Sequence, residues 1–246
     1  GGATSSRAVV ELLLLAGERS EAAPLAADAG EEALAAGELS EALRLFDVGT
    51  GAPSASDRGR AWWGLGTARN HLGQADGAEA AFQAALDVAS TPLERGRAGF
   101  ALGRCRYNRG EHAAAVRALR DAFELLQGLE GPDAALGLSL VVRTWAAAAA
   151  HLPGEAPPAV DLAALLARAT SPAQRVENHK TAGYLRLRDG DLSGSIASFH
   201  AALLEARVLG HRPGLADLLC DLGRACRRAG RVEEARAHLD EALALA

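Results

Sequence analysis

Apolar residues recur along this chain at helical spacing, in segments that end at glycine. Most of them are alanine and leucine, which enter helices readily, whereas aromatic residues make up only 4% of the chain. The pattern therefore predicts an all-α protein. Its turns fall at Gly37, Gly73, Gly110, Gly154, Gly190 and Gly230, with spacings of 36, 37, 44, 36 and 40 residues.

The segments around these glycines share one template, in which small and large apolar residues alternate. Small residues allow two helices of a pair to approach closely, and large residues fill the space beside the crossing. The clearest copy consists of Trp62, Leu65, Gly66, Gly73, Ala78, Phe82 and Ala85. We expect Ser40, Asp76 and Ser193 to be N-caps of second helices, and Pro157 and Pro158 to lie in a first turn.

This template resembles the tetratricopeptide repeat family over nearly the whole chain. The resemblance implies a right-handed α-solenoid of about six antiparallel helix pairs plus an N-terminal helix. It also implies that the first helices of successive pairs line a concave, ligand-binding groove. We expect residues 1–20 to hold the lone helix, Arg7 to Gly17, preceded by glycines that are either a leftover expression-tag sequence or the result of a cut inside a longer protein. Residues 21–246 are then the repeat domain, with an irregular unit at about 132–170.

Projection of the template onto the groove gives a set of candidate ligand-binding residues that is richer in cations and aromatics than the chain as a whole. Such a surface suits an acidic peptide or a small anionic ligand, because arginine pairs with carboxylates and aromatic rings stack on apolar groups. The alternative is that these arginines are simply solvated and the aromatics pack against neighbouring helices. The candidates are Arg60, Trp63, Thr67, Asn70, Arg97, Phe100, Arg104, Tyr107, Asn108, Lys180, Tyr184 and Arg224.

Composition and motif content argue against several classes of function. The net charge of −5 argues against direct contact with nucleic acid, and no apolar run is long enough to span a membrane. Three scattered cysteines favour a reducing, cytoplasmic location, and Lys180 is the sole lysine, as in proteins of high-GC bacteria. The chain lacks a phosphate-binding loop, a nucleophile elbow and a paired-histidine metal motif. We therefore expect no enzyme activity, no cofactor and no metal.

Residues 12–46 also resemble the junction at which the ATPase domain of large ATP-binding LuxR-type regulators and related STAND ATPases of actinobacteria passes into its repeats. This resemblance implies a C-terminal sensor of a cytoplasmic transcriptional regulator, whose ligand relieves autoinhibition. The alternatives are a free-standing scaffold for protein assembly and a non-catalytic, substrate-binding subunit of an enzyme. The uncapped C-terminal face would also permit a homo-oligomer.

Overall fold

The structure, a computed structural model, describes residues 5–210 and 212–245, and within those ranges it is built from thirteen helices and no strand. The all-α prediction is therefore confirmed. The helices are α1 Ser6–Leu15, α2 Arg19–Ala35, α3 Leu39–Gly49, α4 Ala55–His71, α5 Ala75–Val88, α6 Pro92–Asn108, α7 His112–Leu126, α8 Pro132–Ala149, α9 Leu162–Ala167, α10 Pro172–Arg188, α11 Leu192–Leu209, α12 Arg212–Arg228 and α13 Val232–Leu245.

After α1, consecutive helices pack in pairs, namely α2 with α3, α4 with α5, α6 with α7, α10 with α11 and α12 with α13. The chain divides into two compact units. Unit 1 comprises residues 1–125 and unit 2 comprises residues 126–246. In unit 1, α1 packs on α2 through the buried Val10. Residues 1–4, where we expected tag sequence or a cut inside a longer protein, and residue 246 lie outside the described residues. Within the described ranges, no helix is long and apolar enough to cross a membrane.

Glycines on the first helices provide notches for large side chains of the second helices. The ring of Phe46, on α3, lies between Gly30 of α2 and Gly64 of α4, so one side chain joins a pair to the first helix of the next pair. A β-carbon at Gly30 would come within 2.7 Å of this ring, and one at Gly64 would overlap it. In unit 2, a β-carbon at Gly183 would lie 2.7 Å from the ring of the fully buried Phe199. The predicted packing of small against large residues is thus the contact that joins the helices.

The turns inside the pairs are shorter than the sequence suggested. Gly37 has a φ angle of +77°, its amide donates to Leu34, and the amide of Glu38 donates to Ala33. These two hydrogen bonds form a Schellman motif, after which α3 begins at once with Leu39. The same two hydrogen bonds form at the next turn, where the amide of Gly73 donates to Asn70 and the amide of Gln74 donates to Arg69.

Because each second helix begins only two residues after its turn glycine, the N-cap predictions for Ser40, Asp76 and Ser193 are wrong. Each of these residues occupies the second position of its helix. The N-cap positions are held instead by Glu38, Gln74 and Asp191, and only Asp191 caps with its side chain, by accepting a hydrogen bond from the amide of Gly194 at 2.8 Å.

Helices α8 and α9 depart from the pattern of paired helices, because α9 contains only six residues and packs on α10. A loop of residues 150–161 precedes it and contains Pro157 and Pro158, so the prediction that these prolines begin a helix is wrong. The helix begins later because Asp161 supplies its N-cap, accepting hydrogen bonds from the amides of Ala163 and Ala164. The next helix, α10, packs directly on α8.

Candidate functional site

In unit 1, the N-terminal halves of α4 and α6 line a cleft of about 150 Å³. Helices α4 and α6 supply most of its walls, with one residue each from α2 and α5. The small side chains of Gly59, Ala85 and Ala98 leave room for it. The lining residues are Glu31, Ser56, Gly59, Arg60, Trp63, Ala85, Glu94, Arg97 and Ala98. Three of the predicted site residues, Arg60, Trp63 and Arg97, are thereby brought together.

Arg97 projects from α6 over the ring of Trp63 on α4, with its guanidinium carbon 6.0 Å from the ring centroid. This is the distance at which a cation is still attracted to an indole face. Trp63 is half-buried and Arg97 is exposed. Within the part of the chain that the structure describes, Arg97 forms no ion pair and no hydrogen bond. The indole thus holds a guanidinium whose N–H groups remain available to a ligand.

Arg60 lies at the edge of the cleft and is already engaged by acidic residues of α2. Its Nη2 donates to Asp28 at 2.6 Å and to Glu31 at 2.9 Å. The hydrogen bond to Asp28 contributes most to raising the pKa of Arg60, against the opposing effect of burial. Both carboxylate side chains are about half exposed, at 48% and 51%. These contacts are therefore surface ion pairs, which a competing carboxylate can exchange at low cost.

Glu94 also lines the cleft, but its carboxylate is occupied by protein donors. One oxygen accepts from the hydroxyl of Ser56 at 2.9 Å, and the other accepts from the amide of Thr91 and from the amide and hydroxyl of Ser90. Burial acts to raise the pKa of Glu94, yet these hydrogen bonds outweigh it and lower the pKa to about 2. With Thr91 it forms a capping box at the start of α6. Glu94 therefore links α4 to α6, and both of its carboxylate oxygens are already occupied by protein donors.

The other candidates of unit 1 do not line this cleft. Thr67 is buried and donates to the carbonyl of Trp63 at 3.0 Å, within its own helix. Phe100 is 8% exposed and lies under the guanidinium of Arg104, 5.3 Å from the ring centroid. Tyr107 contacts the ring of His112, with 5.7 Å between the ring centroids. Asn70 is half-buried and Asn108 is exposed. That these candidates outside the cleft bind a ligand remains a prediction.

The candidates of unit 2 belong to a polar network on α10 and α12. The hydroxyl of Tyr184 donates to Asp221 at 2.6 Å, and Arg224 pairs with the same oxygen at 3.3 Å. Burial, followed by the negative charge of Asp221, raises the pKa of Tyr184. Lys180 lies one turn before Tyr184 and pairs with Glu177 at 3.6 Å.

The acidic residues beside the predicted cations of both units were not among the predicted site residues. Asp28, Glu31, Glu94, Glu177 and Asp221 lie on first helices close to the predicted cations, and the template, which seeks aromatic and basic side chains, omits them. Their spacing was an available signal, because Asp28 and Arg60 are separated by about one repeat. No group of three His, Cys, Asp or Glu side chains within residues 5–210 and 212–245 is arranged to hold a metal ion.

Comparison with known families agrees with this architecture at both ends of the chain. One model of the tetratricopeptide repeat family matches residues 21–95, and a second matches residues 176–246. Together they cover more than half of the chain. The chain is a tetratricopeptide repeat protein. The predicted repeat family is thus confirmed, and so is the prediction of a helical solenoid.

Solved structures show the same fold. A chain of the APC/C hetero-tetramer Cut9-Hcn1 aligns with 98% of this chain at a TM-score of 0.66 and 18% identity. The apo form of RapI aligns with 98% at a TM-score of 0.55 and 12% identity. This tetratricopeptide repeat chain spans 43% of the length of the matched Cut9-Hcn1 chain and 70% of that of RapI. No curated protein matches the sequence. At these identities the likeness establishes the fold alone.

Proposed function

We propose that unit 1 is a protein-interaction module that binds an acidic peptide segment in the cleft between α4 and α6. The observation that carries this proposal is the exposed guanidinium of Arg97, held over Trp63 without a carboxylate partner among the described residues. Tetratricopeptide repeats typically provide such interaction surfaces, because stacked helix pairs leave one face free for a partner.

The chemistry of the cleft suits a carboxylate that is flanked by an apolar side chain. Guanidinium groups bind carboxylates through two parallel N–H donors, and the indole offers a flat apolar surface beside them. Stacking on Trp63 restricts Arg97 before binding, so less side-chain entropy is lost on association. Arg60 offers a second guanidinium, provided that the ligand replaces Asp28 and Glu31 as its partners.

Calorimetry tests the proposal directly. The probe is a synthetic library of eight-residue peptides, with Asp or Glu alternating with Leu or Tyr, and a matched library in which Lys replaces every acid. Wild-type protein should bind the acidic library and not the basic one. Arg97→Ala and Trp63→Ala should each weaken binding about tenfold, because a charge-assisted hydrogen bond or an aromatic contact contributes roughly 1–3 kcal/mol.

The matched control is Arg117→Ala, which removes the same charge from the exposed surface of α7 in the same unit. It should leave the affinity unchanged. Equal binding by wild type, Arg97→Ala and Trp63→Ala would refute this cleft as the site, and tighter binding of the basic library would refute the ligand class.

We further propose that this module serves a multidomain cytoplasmic regulator, as the sensor region that follows a signalling ATPase domain. Support for this setting comes from the resemblance of residues 12–46 to the junction between such an ATPase and its repeats. The coding sequence on either side provides the test. A phosphate-binding loop upstream and a helix-turn-helix segment downstream are expected, and a short self-contained gene would instead favour a free-standing scaffold.

A further inference from the structure

Lys180 is the sole lysine among 26 basic residues, and it is unusually well buried for its type. Its side chain is only 16% exposed, whereas lysine side chains normally extend into solvent. It projects from the middle of α10 in unit 2. A compact ammonium group is therefore held inside a protein surface whose other cations are all guanidinium groups.

The ammonium of Lys180 is incompletely neutralised. Its nitrogen lies 3.6 Å from Glu177, which is longer than a normal hydrogen bond, while Arg143 binds the other oxygen of Glu177 at 2.5 Å. Burial opposes ionisation of Glu177, but Arg143 and Lys180 outweigh it and lower its pKa, so the carboxylate is charged near neutral pH. Two cations thus share one anion. The nearby carboxylate of Asp221 is balanced by Arg224, so among the described residues one positive charge remains.

Lys180 and Glu177 form one end of a cleft of about 220 Å³ between α10, α11 and α12. The rest of the lining is aliphatic, from Ala173, Val176, Ala206, Leu209, Gly214 and Leu218. This volume is below the roughly 300–1,000 Å³ of sites that take drug-sized molecules. It therefore suits a short chain of carbon atoms with a single polar group.

We propose that this cleft binds a short aliphatic monocarboxylate, with its carboxylate on the ammonium of Lys180 and its chain along Val176, Leu209 and Leu218. The positive charge that the described residues leave uncompensated selects an anion over a cation or a neutral alcohol. The aliphatic walls select a hydrocarbon body, because each buried methylene contributes about 0.8 kcal/mol. The site uses neither Trp63 nor Arg97, so it stands independently of the peptide cleft in unit 1.

The sole lysine allows a selective measurement. Reductive methylation with ¹³C-formaldehyde labels only the side chain of Lys180 and the N-terminal amine, and it retains the positive charge of both. Sodium hexanoate should shift the Lys180 signal saturably in carbon–proton correlation spectra and leave the N-terminal signal in place. Sodium acetate and 1-hexanol should act at least about tenfold more weakly, because each lacks one of the two contacts. An equal response to acetate would mean simple ion pairing, and no response to hexanoate would overturn the proposal.

Calorimetry on the unlabelled full chain provides the variant test. Lys180→Met removes the ammonium, and Ala173→Phe fills the cleft from a position that is exposed and therefore tolerant of a larger side chain. Both should weaken hexanoate binding about tenfold. Arg188→Met, which removes an exposed charge from the end of the same helix, should have no effect. Unchanged hexanoate affinity in Lys180→Met and Ala173→Phe would overturn the proposal, and unchanged peptide binding in both would show that the unit 1 cleft is separate.

Discussion

Individual glycines carry much of the packing specificity in this fold. Gly64 accepts the ring of Phe46 so closely that a methyl group there has no room, whereas a β-carbon at Gly59 on the same helix would lie 3.7 Å from its nearest neighbour, Val88. The two positions share a helix but differ in packing. They therefore separate the effect of steric overlap from that of helix propensity.

Replacement of Gly64 by alanine should destabilise the protein by about 1–3 kcal/mol, because the ring of Phe46 must leave its notch. Gly59→Ala should instead stabilise it by about 0.5–1 kcal/mol, because alanine loses less backbone entropy in a helix. Urea denaturation followed by circular dichroism measures both. A Gly64→Ala variant as stable as Gly59→Ala would contradict the proposed role of the notch.

The lowered pKa of Glu94 predicts that the stability of the protein depends on pH through this one carboxyl group. Its pKa in the folded protein is about 2, below the ordinary value of 4.5, so its stabilising contribution is complete above pH 4.5 and is lost as the pH falls toward 2. Wild type should therefore lose more free energy of unfolding between pH 6 and pH 3 than Glu94→Gln does.

The control for this comparison is Glu124→Gln, which removes an exposed carboxylate of α7 that makes no hydrogen bond among the described residues. Its pH profile should parallel that of wild type. Parallel profiles for wild type and Glu94→Gln would show that the capping box at Thr91 contributes nothing measurable.

At the level of residues, the template located the cations and aromatics of the site but not their partners. Trp63 and Arg97 were predictable because they occupy recurring positions of first helices. The hydrogen bonds that occupy the Glu94 carboxylate were not predictable. They depend on Ser56, which lies 38 residues earlier, and on the local geometry of Ser90 and Thr91. Periodicity reports which residues share a face, and it does not report which side chains meet across it.

Among the elements, the turn at the positive-φ glycine between two paired helices decides where the second helix begins. Gly110, like Gly37 and Gly73, has a positive φ angle, here +78°, and nothing lies within 4 Å of its would-be β-carbon. A substitution there acts through backbone conformation alone. Gly128, in the loop before α8, also has open space around it and lacks a positive φ angle.

Gly110→Ala should therefore cost about 1–2 kcal/mol, the penalty of a left-handed conformation for an L-residue. Gly128→Ala should be close to neutral. The measurement is the difference in free energy of unfolding between each variant and wild type. Equal effects of the two substitutions would show that the turn tolerates a side chain.

The helix pairs were predictable because turn glycines mark them, whereas helix starts were not. Ser40, Asp76 and Ser193 are good N-cap residues, but the Schellman turn leaves no room for a cap two positions farther on. Likewise, Pro157 and Pro158 favour a helix start in isolation, and the side chain of Asp161 places that start later. In these cases the hydrogen bonds of the turn or cap override residue preference.

For the whole molecule, the repeat explains the layered arrangement within each unit, and it did not predict that the chain would divide at residue 125. The family models match the beginning and end of the chain and not residues 96–175. That interval contains the six-residue α9 and the loop before it, where the sequence departs from the template. Each unit also carries its own cleft, with an arginine on an indole in unit 1 and a lysine beside aliphatic walls in unit 2.

Peptide binding in the unit 1 cleft is tested most directly by hydrogen exchange of the full chain with and without the tightest-binding acidic peptide of the library. We expect slowed exchange in the segments that line this cleft, residues 56–63 of α4 and 94–98 of α6, and none of this protection in Arg97→Ala. Protection confined to other helices, or the same protection in Arg97→Ala, would contradict binding in this cleft.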